Sequence, residues 1–171
     1  GEVITKESLA KSCFSGDFNE KAADEGLNTK PNHDKKFGSN FEGNESYFVF
    51  PFPADNALSI AQTVVSSPAD PVASPFGWHD INGQIGPEFT ITKGNNATVF
   101  IDRNADFVKD EPEPEGGVTL QFNQPIDLST EPEGYKKGST IQLFYQLNTL
   151  HDVLFHHGFD ENSNFQQFNY Q

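Results

Sequence analysis

The feature that most constrains this chain is a run of apolar residues spaced for a helix. Ile141, Leu143, Phe144, Leu147, Leu150, Leu154 and Phe155 recur at three- and four-residue intervals. That spacing predicts a helix over residues 139–157 with one wide apolar face. Ser139, with Gln142 three residues on, has the sequence of a capping box. Gly158 stands where a residue in the left-handed conformation would close the helix. A short helix is marginal alone, so such a face calls for other elements to cover it. The chain opens at Gly1 and contains no Met. The expectation is a fragment, whose function has to be separated from that of its parent.

What could cover the helix is short and β-prone. Tyr47, Val49 and Phe50 begin a β-prone run that Pro51 and Pro53 interrupt, which suits an edge strand or an extended segment, not a central strand. A second short apolar stretch covers residues 61–66. Prolines at 68, 71 and 75 then space out a stiff passage into Phe76-Gly77-Trp78-His79-Asp80. Beyond the Asn82-Gly83 turn signal, strands are predicted over residues 89–92, 97–101 and 118–122. The fold class expected is α+β: short strands and turns with one long C-terminal helix. Residues 15–46 are rich in Gly, Asn, Asp, Glu and Lys and lack apolar periodicity, so they read as a mobile linker. Within them Phe18, Phe37 and Phe41 are candidate single anchors, with Phe14 just before.

Charge and cysteine content exclude several classes of function. Eleven basic and 25 acidic residues give a formal charge of −14. Phosphate binding needs clustered Lys and Arg, so nucleic acid is excluded as a partner. No apolar run approaches the roughly 20 residues of a membrane-spanning helix. Cys13 is the single cysteine, so no disulfide forms within the chain. Two glycosylation sequons begin at Asn44 and Asn96.

The histidines do not read as a zinc site. A helical zinc pair wants His at i and i+4, with Glu after the first. Here His156 and His157 lie five and six residues from His151, and Asp152 follows it. His156 and His157 instead suit the helix C-terminal dipole, and His151 suits the edge of the core or a bond to a neighbour. Trp78-His79-Asp80 reads as a structural corner, with Trp78 buried and its neighbours tying down the turn. Adjacent side chains in an extended segment point to opposite sides, which disfavours a catalytic pair. The acidic loop over residues 102–115, DRNADFVKDEPEPE, is the candidate metal site. Asp102, Asn104, Asp106 and Asp110 place short oxygen ligands at alternating positions, as calcium loops do, and Glu111 could contribute. The glycine and final Glu of an EF-hand are out of register. A bound calcium and a solvated acidic turn both remain open here.

Four segments together carry a family resemblance. They are SPFGWHDINGQIG at 74–86, TKGNNATVFIDRNAD at 92–106, FNQPIDLSTEPEGY at 122–135 and IQLFYQLNTLHDVLFHHGFDENSNFQ at 141–166. In order and spacing they resemble the start of a fungalysin catalytic domain, a secreted zinc metallopeptidase. Lys93 stands where that family usually has Arg, and Phe155 and Phe159 keep its aromatic pattern. The resemblance covers roughly residues 47–171. It implies an incomplete thermolysin-like domain over that range. Residues 1–14 would be the end of an inhibitory propeptide, and 15–46 the junction.

The resemblance also implies zinc in the parent, held by a His-Glu-x-x-His helix and a further Glu. That motif is absent from all 171 residues, so no catalytic or zinc-ligand residue carries over. The expectation is an inactive segment of an extracellular endopeptidase. Its partners would be the remainder of its own catalytic domain and, for the parent, protein or peptide substrates. The alternative is a non-catalytic calcium-binding or interaction module that reuses this segment.

Overall fold

The computed structural model describes residues 44–54 and 56–160. The expected propeptide end, and the linker up to residue 43, lie outside the described residues. The linker's last two residues do not belong to it. Glu45 is buried, and Ser46 opens a strand.

The architecture is α+β. Three strands, β1 (Ser46–Val49), β2 (Thr63–Ser66) and β3 (Gln121–Phe122), pair in the order β2-β1-β3. β1 runs antiparallel to β2, with Tyr47 opposite Val65, and parallel to β3, with Tyr47 opposite Phe122. So β1 is central, not an edge. Pro51 and Pro53 fall beyond its last residue, where a missing amide donor costs the ladder nothing. Tyr47 and Val49 alternate into the core, as the two-residue period of a strand requires.

Helix α1 (Pro132–Phe155) packs on β1. It starts earlier than the capping-box pattern suggests. Pro132 takes the first turn, where a missing N–H is harmless, and Glu131 is the N-cap without a side-chain bond. Tyr135, at φ −119°, marks a kink that joins a short leading turn to the longer segment. Ser139 is therefore inside the helix and exposed. Gln142 serves tertiary structure instead of a cap. Its side chain accepts from Phe50 N–H at 2.8 Å and donates to Phe50 C=O at 3.0 Å. That amide pair clips the end of β1 to the helix. The far end closes as expected. Gly158 has φ +90°, Phe159 N–H reaches Leu154 C=O and Gly158 N–H reaches Phe155 C=O, which is a Schellman pattern.

The single wide apolar face of the helix is in fact two faces. Ile141, Phe144, Tyr145, Asn148, His151 and Asp152 are buried. Leu143, Leu147 and Leu150 are 47%, 40% and 42% exposed. Three- and four-residue intervals occur on both faces, and periodicity alone merges them. The expected strands over 89–92 and 97–101 reduce to single bridges, Ile91 with Glu115 and Lys93 with Thr98. Of residues 118–122 only the last two are strand, and Val118 is 92% exposed.

The core is aromatic. Tyr47, Trp78, Phe122, Phe144 and Tyr145 are buried together with Val49, Val99, Leu120 and Ile141. Tyr47 stacks on Phe122 with ring centroids 5.3 Å apart and planes 6° off parallel, and Trp78 meets Tyr145 edge-on. Offset and edge contacts of this kind add about 0.5–1.5 kcal/mol each beyond burial.

Candidate functional site: a buried carboxylate junction

Two segments distant in sequence meet at one carboxylate. Residue 152 lies on the core face of α1, one turn from the helix end. Asp152 Oδ1 accepts from Ser74 Oγ at 2.6 Å and from His151 Nδ1 at 2.9 Å. Its Oδ2 accepts from Trp78 Nε1 at 2.9 Å and from the Asp70 amide at 3.0 Å. Four donors fill both oxygens. Three of them come from residues 70–78, a segment of successive turns. Asn96 donates in turn to Ser74 Oγ at 3.3 Å, which draws the 94–96 turn into the same network.

The 70–78 segment is shaped to deliver those donors. Asp70 Oδ1 accepts from the Val72 and Ala73 amides at 2.8 and 2.9 Å, and Ser74 N–H returns to Asp70 C=O. That tight turn aims Ser74 Oγ at Asp152. Burial pushes the Asp70 carboxyl up, but the Ala73 and Val72 amides and His156, 3.1 Å away, hold it below its ordinary value. Gly94 lets the backbone pass: a Cβ there would lie 1.7 Å from Trp78 O.

A second buried contact lies beside the first. His79 is 1% exposed and stacks on Phe122 at 5.2 Å. Its Nδ1 faces Lys93 C=O at 3.2 Å, and a carbonyl only accepts, so Nδ1 carries the proton. Nε2 then accepts from Tyr47 O–H at 2.8 Å. Burial drives the imidazole down to about 4, against the carbonyls of Lys93 and Ile91, so it is neutral near pH 7. Burial and then the Glu45 charge raise the Tyr47 hydroxyl well above its usual range. Trp78 is buried at the corner that the sequence places there. His79 goes further than tying a turn, because it is part of the aromatic core. Asp80 does hold the turn, accepting from Gly83 N–H at 2.9 Å.

The acidic loop is organised differently. Asp102, Asn104 and Asp106 come together. Asp102 accepts from the Asp106 and Phe107 amides, Asn104 from the Asp106 amide, and Asp106 from Val108 N–H and Asn104 Nδ2. Asp110 turns away to the Arg103 amide at 2.6 Å. Glu111 pairs with Arg103 and with Lys136, each at 2.6 Å, and Glu133 joins the same two cations. Lys136 and then Arg103 hold Glu111 and Glu133 below the ordinary carboxylate range.

The histidines at 79, 151 and 156 have the partners above. Among the described residues no group of three or more His, Cys, Asp or Glu is arranged to hold a metal. No helix among them is long and apolar enough to cross a membrane.

A buried network thus joins a Ser-Pro-Phe-Gly-Trp-His-Asp segment to a His-Asp helix. The chain belongs to the fungalysin family: the Fungalysin metallopeptidase model matches residues 46–171. It is similar to the Extracellular metalloproteinase 2 of Phaeosphaeria nodorum, 31% identical over 125 residues, or 71% of this chain and 19% of that protein. It is 34% identical over 128 residues to the Extracellular metalloproteinase mep of Aspergillus flavus, covering 70% of this chain and 19% of that one. The Probable extracellular metalloproteinase 2 of Arthroderma benhamiae is 33% identical over 132 residues, with 72% and 20% covered. The chain thus spans about a fifth of the length of these relatives.

Sequence reasoning singles out Trp78, His79, Asp80 and His151 and reads each as structural, but it passes over the carboxylate that gathers the network. Ser74 and Asp152 both lie within the segments that carry the family resemblance. The signal that points to Asp152 is a carboxylate on the core-facing stripe of a helix, where a charge needs several donors.

Proposed function

We propose that this chain supplies the N-terminal, non-catalytic part of the peptidase domain of an extracellular zinc metalloendopeptidase. The Asp152 junction carries this reading, because it makes the family's distant segments one packed unit. The names of the relatives support the extracellular and proteolytic parts of it. Zinc chemistry would come from polypeptide outside these 171 residues, since His-Glu-x-x-His occurs nowhere in the sequence. The partner of the chain is then the remainder of its own catalytic domain, and the substrates of the whole are proteins or peptides. A stabilising calcium at Asp102, Asn104, Asp106 and Asp110 is a separate proposal, supported by loop spacing and by the approach of the first three; Asp110 would have to leave the Arg103 amide to join them.

Casein hydrolysis tests the main reading, with and without a chelator. It would be run on the 171-residue chain and on a longer polypeptide from the same reading frame that contains it. The expected result is chelator-sensitive turnover by the longer polypeptide only. Turnover by the 171-residue chain itself would overturn the reading, and so would a longer polypeptide with no activity in added zinc.

A further inference from the structure

The second apolar face of α1 has a pattern of its own. Leu143, Leu147, Leu150 and Leu154 follow at intervals of four, three and four residues, all leucine. At 100° per residue these four lie within a narrow arc, well away from the core face of Ile141, Phe144, Asn148 and His151. Three of them are 40–47% exposed, and Leu154 is half-buried. Residues 138–151 carry no Asp, Glu, Lys or Arg, although 21% of the chain is charged. A solvent-facing helix surface ordinarily carries charge on such positions. Alternating four- and three-residue spacing is the seam on which one helix packs along another, knobs into holes.

We propose that this leucine seam is the docking surface for an α-helix from the same peptidase domain, contributed by polypeptide outside these 171 residues. The inference rests on the reading that the chain is part of a longer domain. Coverage of about a fifth of the relatives' length leaves ample sequence to supply such a helix. A second copy of this chain fits less well, because each copy carries a formal charge of −14 over its length, and that opposes association of two copies. The occupant is therefore an amphipathic helix with its own apolar stripe, laid along residues 143–154. Packing there would brace α1 from the side opposite Asp152 and couple the junction to the rest of the domain.

The test is Leu147→Glu, and separately Leu150→Glu, made in the 171-residue chain and in the longer polypeptide. In the short chain both positions face water, so the melting point should move by no more than about 2 °C. In the longer polypeptide the seam is covered, and each change should lower it by about 5–10 °C. Amides of residues 143–154 should also exchange at least tenfold more slowly in the longer polypeptide. Equal effects in both lengths, large or small, would overturn the proposal. So would a concentration-dependent dimer of the short chain that Leu147→Glu abolishes, which would assign the seam to a second copy. The melting and exchange readouts do not depend on catalysis. A longer polypeptide that shows the length-dependent effect but no proteolysis would remove the functional reading and leave the seam standing. One that is active without the effect would do the reverse.

Discussion

Two regions of this molecule use the same chemical group in opposite ways. At Asp152 one buried carboxylate gathers donors from residues 74 to 82 positions away, and all of them are within 3.0 Å. In the loop over 102–111, exposed carboxyl groups mostly bind amides two to seven residues away. The first arrangement fixes tertiary structure, because its donors lose water on burial and are satisfied only through the contact. The second shapes a turn that water also solvates. Carboxylate content therefore says little about where stability resides. What matters is burial, and how far along the chain the partners lie.

The largest effect should come from breaking the buried region. Asp152→Ala strands the Trp78 indole, the Ser74 hydroxyl and the Asp70 amide in the interior. A loss of roughly 3–5 kcal/mol is expected, a large share of the roughly 5–15 kcal/mol that holds a typical domain. Asp152→Asn keeps the shape but turns a donor toward donors, so it should cost less and still be measurable. Urea unfolding gives both values. If Asp152→Ala cost no more than Asp102→Ala, the contrast between the regions would collapse.

The next effect concerns pH and sharpens the same contrast, because buried groups in the packed region titrate out of their normal range. Burial pushes the Glu45 carboxyl at the start of β1 up to about 7, its own backbone amide opposing. Between its ordinary 4.5 and about 7 the folded chain holds a proton that the unfolded chain has released. Its contribution is thus complete below 4.5 and is lost as pH rises through 7. His79, held down to about 4, has the opposite sign. Its contribution is present above 6.5 and is lost as pH falls through about 4. Each is worth about 3 kcal/mol at full swing. Glu45→Gln should therefore stabilise the chain by up to about 3 kcal/mol at pH 8 and change little at pH 4. Equal shifts at both values would show that the Glu45 carboxyl does not titrate with folding.

The smallest effect is expected in the exposed loop. Asp102→Asn with Asp106→Asn should change stability by less than about 1 kcal/mol in buffer with a chelator. Calcium titration by calorimetry adds the remaining arm. A saturable heat that the double substitution abolishes would make the loop a cation site and narrow the gap between the two regions. Heat that is absent, or equal in the variant, would leave it a self-bonded turn.

The sequence makes some of this legible, for physical reasons. A helix leaves a repeating apolar signature, so α1 and its Gly158 end are readable. Its start is not. Ser139 and Gln142 have the composition of a cap, but Pro132 begins the helix seven residues earlier and Gln142 is drawn to Phe50. The strand-like stretch near residue 91 misleads because alternation reports a half-buried extended chain, not pairing. Asn95 N–H bonds to Asp80 C=O instead of continuing a ladder. The Asp152 junction is illegible for a different cause: its donors are set by tertiary approach, and no spacing rule encodes a contact across 74 residues. The segments that resemble the family contain both halves of the junction, yet nothing in them says that the halves touch.

The chain has one tryptophan, and it sits on the junction, so its emission reports whether Asp152 binds residues 70–78 and α1 into one cooperative unit. Urea unfolding would be followed by Trp78 emission and by helical circular dichroism on the same samples. Coincident midpoints are predicted for the natural sequence, with both moving together to lower urea in Asp152→Ala. Separate midpoints, or a Trp78 transition that Asp152→Ala leaves in place, would contradict it.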